Sequence, residues 1–120
     1  MNKDVVRLAV DFSVRDAQLV EFKNLAQQMT ANSGAEPGTI DYEWFVSADG
    51  KHFRLVETYT DATALEAHFM GPVIQHLSPK LAAVCSVDRF EIYGDPGPKV
   101  REMAGAFGAV TYHCWIGIER

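Results

Sequence analysis

The chain predicts an α+β fold of the ferredoxin-like type, an antiparallel sheet with helices on one face. Three observations carry that prediction. Strand-like apolar and β-branched segments fall in residues 5–13, 39–47, 53–60 and 86–93, with clear period-two alternation in the first. Apolar residues recur at helical spacing in residues 17–29 and 73–81. The resulting core order is strand, helix, strand, strand, helix, strand.

In the first strand Val6, Leu8, Val10 and Phe12 share one face, with Arg7, Ala9, Asp11 and Ser13 on the other. Ser13 and Asp16 then give a capping-box-like start. The helix that follows buries Leu19, Phe22, Leu25, Ala26 and Met29 and turns Glu21, Lys23, Asn24, Gln27 and Gln28 to water; Asn32-Ser33-Gly34 ends it. Pro37-Gly38 signals a turn into the second strand, which is rich in β-branched and aromatic residues. Ala48-Asp49-Gly50-Lys51 supplies an Asp-Gly hairpin turn to the third strand. Asp61 caps a short helix through Phe69, and Gly71-Pro72 stops it. Pro72 opens the next helix, whose apolar stripe is Val73, Ile74, Leu77 and Leu81. A fourth strand spans residues 86–93.

Gly94-Asp95-Pro96-Gly97-Pro98 is a clear break. It separates a core, residues 1–94, from a helix–strand extension of the same domain, residues 95–120. In the extension Val100, Met103 and Phe107 are expected to face inward, with Gly105 weakening the helix, and residues 109–119 to form a last strand. The second face of the sheet carries Arg7, Ala9, Asp11, Arg89 and Glu91 together with Val87 and Tyr93. Such a face is too charged for a core and too apolar for full exposure. A second sheet packed there by dimerisation resolves the conflict. The tail strand is too hydrophobic to hang free, so it is expected at an edge of its own sheet or on a partner subunit.

One domain fits 120 residues, and a domain of that size buries roughly two-thirds of its unfolded surface without a staple. The net charge of −5, with no Lys/Arg run longer than two, argues against nucleic acid. No apolar run approaches the ~20 residues of a membrane span, and Met1-Asn2-Lys3-Asp4 lacks a signal peptide's apolar stretch. Cys85 and Cys114 form no metal-like pattern and are expected to stay reduced in the cytoplasm. Without a His-x-x-x-His pair or cysteine cluster, no metal is expected. Phosphate-loop and dinucleotide fingerprints are absent.

Titratable and aromatic groups are densest between residues 36 and 69. An imidazole titrates near neutrality, which makes His68 the candidate base, and Glu57 the candidate group to orient it. Tyr42, Trp44, Tyr59 and Phe69 are the candidate substrate-binding side chains. The competing reading makes Glu57 and His68 a buried structural pair and places Trp44 and Phe45 in the core or a dimer interface. His76 lies off the centre of its helix stripe, His52 follows the hairpin turn, and His113 sits in the tail strand beside Cys114.

Residues 36–69 resemble the antibiotic biosynthesis monooxygenase family, including its quinol monooxygenase-like members. The matching residues are Glu36-Pro37-Gly38, Tyr42 with Trp44, Phe53 with Glu57 and Tyr59, and Ala64-Leu65 with His68; the rest fits in element order. The resemblance implies a homodimeric α+β barrel. It also implies a small aromatic or quinol-like substrate, oxidised with O2 and without a cofactor. Haem-degrading members rely on an asparagine in the first strand, and residues 5–13 contain none. Two alternatives stay open: an isomerase of a small carbonyl compound using the same acid/base pair, and a non-catalytic dimeric binding protein.

Overall fold

The computed structural model describes residues 4–118. Strand β1 (Val6–Ser13) leads into helix α1 (Leu19–Ser33). The hairpin of β2 (Thr39–Val46) and β3 (His52–Tyr59) follows, then α2 (Ala62–Met70). A one-turn π segment (Val73–Leu77) runs into α3 (Ser78–Ala82), β4 (Ser86–Tyr93), α4 (Pro98–Gly105) and β5 (Val110–Tyr112). The sheet order is β2-β3-β1-β4-β5.

The core of the predicted architecture is present: four antiparallel strands with the first at the centre. The sheet as a whole is mixed, because β5 runs parallel to β4. A parallel neighbour needs a crossover, and α4 supplies it. The expected 11-residue strand shrinks to three residues. Residues 113–118 adopt no regular structure, and Glu119 lies outside the described residues.

Local chemistry explains most boundaries. The Asp49 carboxylate accepts from the Lys51 amide at 2.9 Å, and Gly50 takes the positive φ of 75° that the hairpin turn demands. Asp61 caps α2 by accepting from the Ala64 amide at 2.8 Å. The capping box at Ser13 and Asp16 does not form. Ser13 donates instead to Asp88 across the sheet, and the turn at Asp16–Gln18 has no side-chain cap. The single helix expected after Pro72 begins as a π turn, with the Ser78 amide reaching back to the Val73 carbonyl. Pro79 has no N–H and its ring crowds the carbonyl four residues back, so the regular register is disfavoured there. Phe107 is not inward: α4 ends at Gly105, Gly108 turns the chain with φ 83°, and Phe107 is left 77% exposed. Val100 and Ala104 fill the inner face of α4 instead.

Helices and inner sheet face enclose two apolar clusters. One joins Val10, Phe12, Phe22, Leu25, Met29, Phe53 and Leu55 under α1, with Val73 and Leu81. The other joins Val6, Leu8, Tyr59, Leu65, Phe69, Ile92 and Val100 under α2 and α4. On the outer face Arg7, Ala9 and Asp11 stand opposite Thr58, Val56 and Arg54 of β3 and Tyr93, Glu91 and Arg89 of β4. A bulge between Asp11 and Phe12 shifts Val87 opposite Phe12, so it does not follow the alternation that put it with Arg89 and Glu91. Arg54 grips Asp11 at 2.6 and 3.0 Å, and Arg89 meets Glu91 at 3.0 Å, so much of the outer-face charge is already paired. No helix among the described residues is long and apolar enough to cross a membrane.

Candidate active site

Strand register builds the site. Glu57 lies opposite Tyr42 on β2 and opposite Leu8 on β1. Cross-strand partners share a face, so all three point toward the helices. Tyr59, two residues on, joins them. Helix α2 crosses above with Leu65, His68 and Phe69 buried. Gly38 lets the preceding turn come close: a Cβ there would lie 2.3 Å from the Ala64 Cβ of α2. Gly38→Ala is therefore expected to lower stability by about 1–3 kcal/mol through overpacking. Urea denaturation reads this directly, and an unchanged midpoint would mean that the turn is free to shift.

The centre of the cluster is His68, only 1% exposed. Its Nδ1 lies 2.7 Å from Glu36 Oε1. That same oxygen accepts from the Thr39 hydroxyl at 2.7 Å. On the other side of the ring, Nε2 is 3.7 Å from Glu57 Oε1, too far for a hydrogen bond, and has no hydrogen-bond partner among the described residues. Glu57 instead accepts from the Tyr59 hydroxyl at 2.6 Å. The rings of Tyr59, Tyr42 and Phe69 surround the imidazole at centroid distances of 5.2, 5.9 and 6.3 Å.

Five of the six residues singled out from the sequence thus meet in one place: His68, Glu57, Tyr42, Tyr59 and Phe69. Trp44 stands behind Tyr42, 6.2 Å between rings. Its indole N–H donates to Thr30 at 2.9 Å, and its ring packs on Phe12 and Phe22. It packs against the apolar cluster under α1 and meets the imidazole cluster through Tyr42. The residue passed over was Glu36. It was visible as the first residue of Glu36-Pro37-Gly38, a turn facing the histidine-bearing helix. The remaining histidines stand apart: His52 pairs with Asp49 at the hairpin turn, while His76 and His113 are exposed.

Burial sets the electrostatics. It pushes the Glu57 carboxyl above the ordinary range, with nearby His68 and the Tyr59 hydroxyl pulling the other way. It also drives the Tyr42 and Tyr59 hydroxyls far above theirs, helped in both by the neighbouring Glu57. A carboxyl whose folded pKa exceeds its unfolded value holds its proton more tightly when folded. Its contribution to stability is fully present below the unfolded value, near 4.5, and is lost as pH rises through the folded one. Glu57→Gln keeps an acceptor for Tyr59 and has no proton to lose. The variant is expected to be at least as stable as the wild type above neutrality, with a flatter stability profile across the weakly acid range. Urea midpoints measured against pH check this; a variant that loses stability most at high pH would contradict it.

A separate open cleft of about 620 Å³ lies away from His68, at the hairpin end of the sheet. Asp11, Phe45, Arg54 and Val56 line it, and its arginine and aspartate are already bonded to each other. Its other titratable groups are also engaged: His52 pairs with Asp49, and Asp88 accepts from Ser13. Among the described residues no cluster of three His, Cys, Asp or Glu side chains is arranged for a metal ion.

The family model described as antibiotic biosynthesis monooxygenase matches residues 5–79. A search of curated proteins returned no match. Among solved structures, MupZ from Pseudomonas fluorescens is similar over 98% of this chain and 95% of its own, with 20% identity and a TM-score of 0.83. SnoaB from Streptomyces nogalater, described as a cofactor-independent oxygenase, is similar over 77% of this chain and 93% of its own, with 18% identity and a TM-score of 0.66. A conserved protein from Methanosarcina mazei is similar over 78% of this chain and 95% of its own, with 20% identity and a TM-score of 0.69. At these identities the likeness establishes the shared fold. At 98% coverage the likeness to MupZ takes in the tail as well.

Proposed function

The chain belongs to the antibiotic biosynthesis monooxygenase family, and we propose that it is a cofactor-independent monooxygenase acting on a small quinol or polyphenol-type substrate with O2. The observation that carries this reading is the His68 ring, bonded through Nδ1 to Glu36 while Nε2 is buried without a hydrogen bond. A cofactor-free oxygenase makes its substrate reduce oxygen, and a phenol does so far more readily once deprotonated. In this reading Nε2 takes that proton, and Glu57 lies next to the same nitrogen. Tyr42, Tyr59 and Phe69 form the aromatic walls, with Trp44 behind them. The fold it shares with an oxygenase described as cofactor-independent supports the same reading.

The test is oxygen uptake by metal-stripped protein against a panel of hydroquinones and dihydroxynaphthalenes. Uptake above the protein-free blank supports the assignment. Conversion without oxygen consumption moves it to an isomerase using the same acid/base pair. A second reading rests on closure: with His68 and Tyr59 at 1% and 0% exposure, the cluster also suits a structural polar core in a non-catalytic binding protein. Absence of any conversion across the panel favours that reading.

The working unit in this proposal is a homodimer formed through the outer face of the sheet. Phe45, Tyr93 and Tyr112 are exposed there or at its edge, and the tail leaves Trp115, Ile116 and Ile118 uncovered. In this proposal residues 1–94 are the core and residues 95–120 an extension of the same domain, and the family match falls within the first part. Two free cysteines fit a cytoplasmic setting. Burial pushes the Cys85 thiol up to about 11, so it is held as an inert thiol, bonded to the Leu81 carbonyl.

A further inference from the structure

We propose that Glu36, and not Glu57, is the positioning residue of the site: it fixes His68 as the tautomer with its proton on Nδ1 and so presents the Nε2 lone pair to the substrate. The inference rests on the monooxygenase reading for its role in turnover, but not for the tautomer itself.

The argument begins with what a carboxylate oxygen can do. Glu36 Oε1 sits 2.7 Å from His68 Nδ1, and as an acceptor it requires the proton to be on that nitrogen. The same oxygen already accepts from the Thr39 hydroxyl, which holds the carboxylate in place. The backbone around it is also tied down. The Glu36 amide donates to the Ser33 carbonyl at 3.0 Å, the Thr39 amide to the Glu36 carbonyl at 3.3 Å, and the Thr60 amide to the Gly38 carbonyl at 3.0 Å. Gly38 brings this turn against Ala64, one helical turn before His68. The acceptor is thus built into a rigid turn, as a precise proton position requires.

Glu57 does not fit the same role. It lies 3.7 Å from the opposite nitrogen, beyond hydrogen-bond reach, and its nearer oxygen is drawn toward the Tyr59 hydroxyl at 2.6 Å. A carboxylate orienting the ring from that side would hold the proton on Nε2 and remove the lone pair. Burial favours the neutral form of Glu57, which leaves it a weak competitor for that proton. One imidazole therefore stands between two carboxyl groups with different tasks: Glu36 sets the ring, and Glu57 shares the reacting side with the substrate.

The experiment is long-range 1H–15N correlation spectroscopy of the full chain labelled with 15N-histidine, at neutral to mildly alkaline pH. It is applied to the wild type, Glu36→Leu, Glu36→Gln and Glu57→Gln. In the wild type, Nδ1 of His68 is expected to carry the proton and Nε2 to give an imine-type signal. Leucine removes the acceptor and should mix the tautomers, while glutamine, which retains a carbonyl oxygen for Nδ1–H, should restore the wild-type pattern. Glu57→Gln should leave the pattern unchanged. In oxygen-uptake assays Glu36→Leu should lower kcat about 100-fold with little change in KM, and Glu36→Gln should recover most of it. A wild-type His68 protonated on Nε2, alone or together with Nδ1, overturns the proposal even if no variant folds. So does a leucine variant that keeps the wild-type tautomer. A panel without turnover would end the oxygenase reading, whereas the spectra decide the tautomer regardless.

Discussion

His68→Ala is expected to abolish oxygen uptake and to lower the unfolding free energy by about 3 kcal/mol. From the sequence, loss of activity and loss of stability looked like competing outcomes, one for a catalytic residue and one for a structural pair. The buried geometry makes both expected together. Alanine removes a fully enclosed ring from among Tyr42, Tyr59 and Phe69 and opens a cavity. It also strips Glu36 of its imidazole donor and Glu57 of its nearest basic neighbour. His68→Gln separates the two effects. A glutamine amide can still donate toward Glu36 and fills much of the space, but it has no nitrogen able to take a proton. It should therefore keep most of the stability and still show no uptake. Urea denaturation and oxygen-electrode assays on both variants suffice. A glutamine variant that turns over at the wild-type rate would remove His68 from the chemistry.

If the chain forms the proposed homodimer, deleting the tail from Val110 onward should convert it to monomer. Trp115 is 93% exposed in the single chain, with Ile116 and Ile118 close behind. Burying a large apolar side chain is worth about 1.5–3 kcal/mol. Three such residues lost from each interface weaken association by at least about a thousandfold, at about 1.4 kcal/mol per tenfold. Sedimentation of the full and shortened chains over a range of concentrations measures this. A shortened chain that dimerises as tightly as the full one would show that the tail has no essential part in the interface, and would leave the outer sheet face to hold the dimer alone.

The parts of the fold that were legible in the sequence share a cause. β1, the β2–β3 hairpin and β4 announce themselves through strand-forming side chains, alternation and turn residues, and Asp49-Gly50 and Asp61 act through their own backbone neighbours. What was not legible depends on distant partners. Ser13 chose Asp88 over a local cap, 75 residues away. Phe107 follows helical spacing on paper, but α4 ends at Gly105, before that spacing reaches it. The tail is apolar enough for a long strand, yet only Val110–Tyr112 finds an edge to pair with. In the site, residue types named His68 and its aromatic neighbours. They could not say which carboxylate meets which nitrogen, because Glu36 approaches through a turn whose path is fixed by the contact of Gly38 with Ala64.

The place of β1 at the middle of the sheet has a consequence for how the chain is made. β1 is synthesised first of the strands, yet both its neighbours come later: β3 at residues 52–59 and β4 at residues 86–93. While the ribosome adds those residues, Val6, Leu8, Val10 and Phe12 have no sheet to enter. Contacts between segments so far apart in the chain form slowly, because a long loop must close before they can form. The nascent protein therefore passes through an interval in which its most apolar strand is open on both edges, the condition under which growing chains aggregate or recruit chaperones.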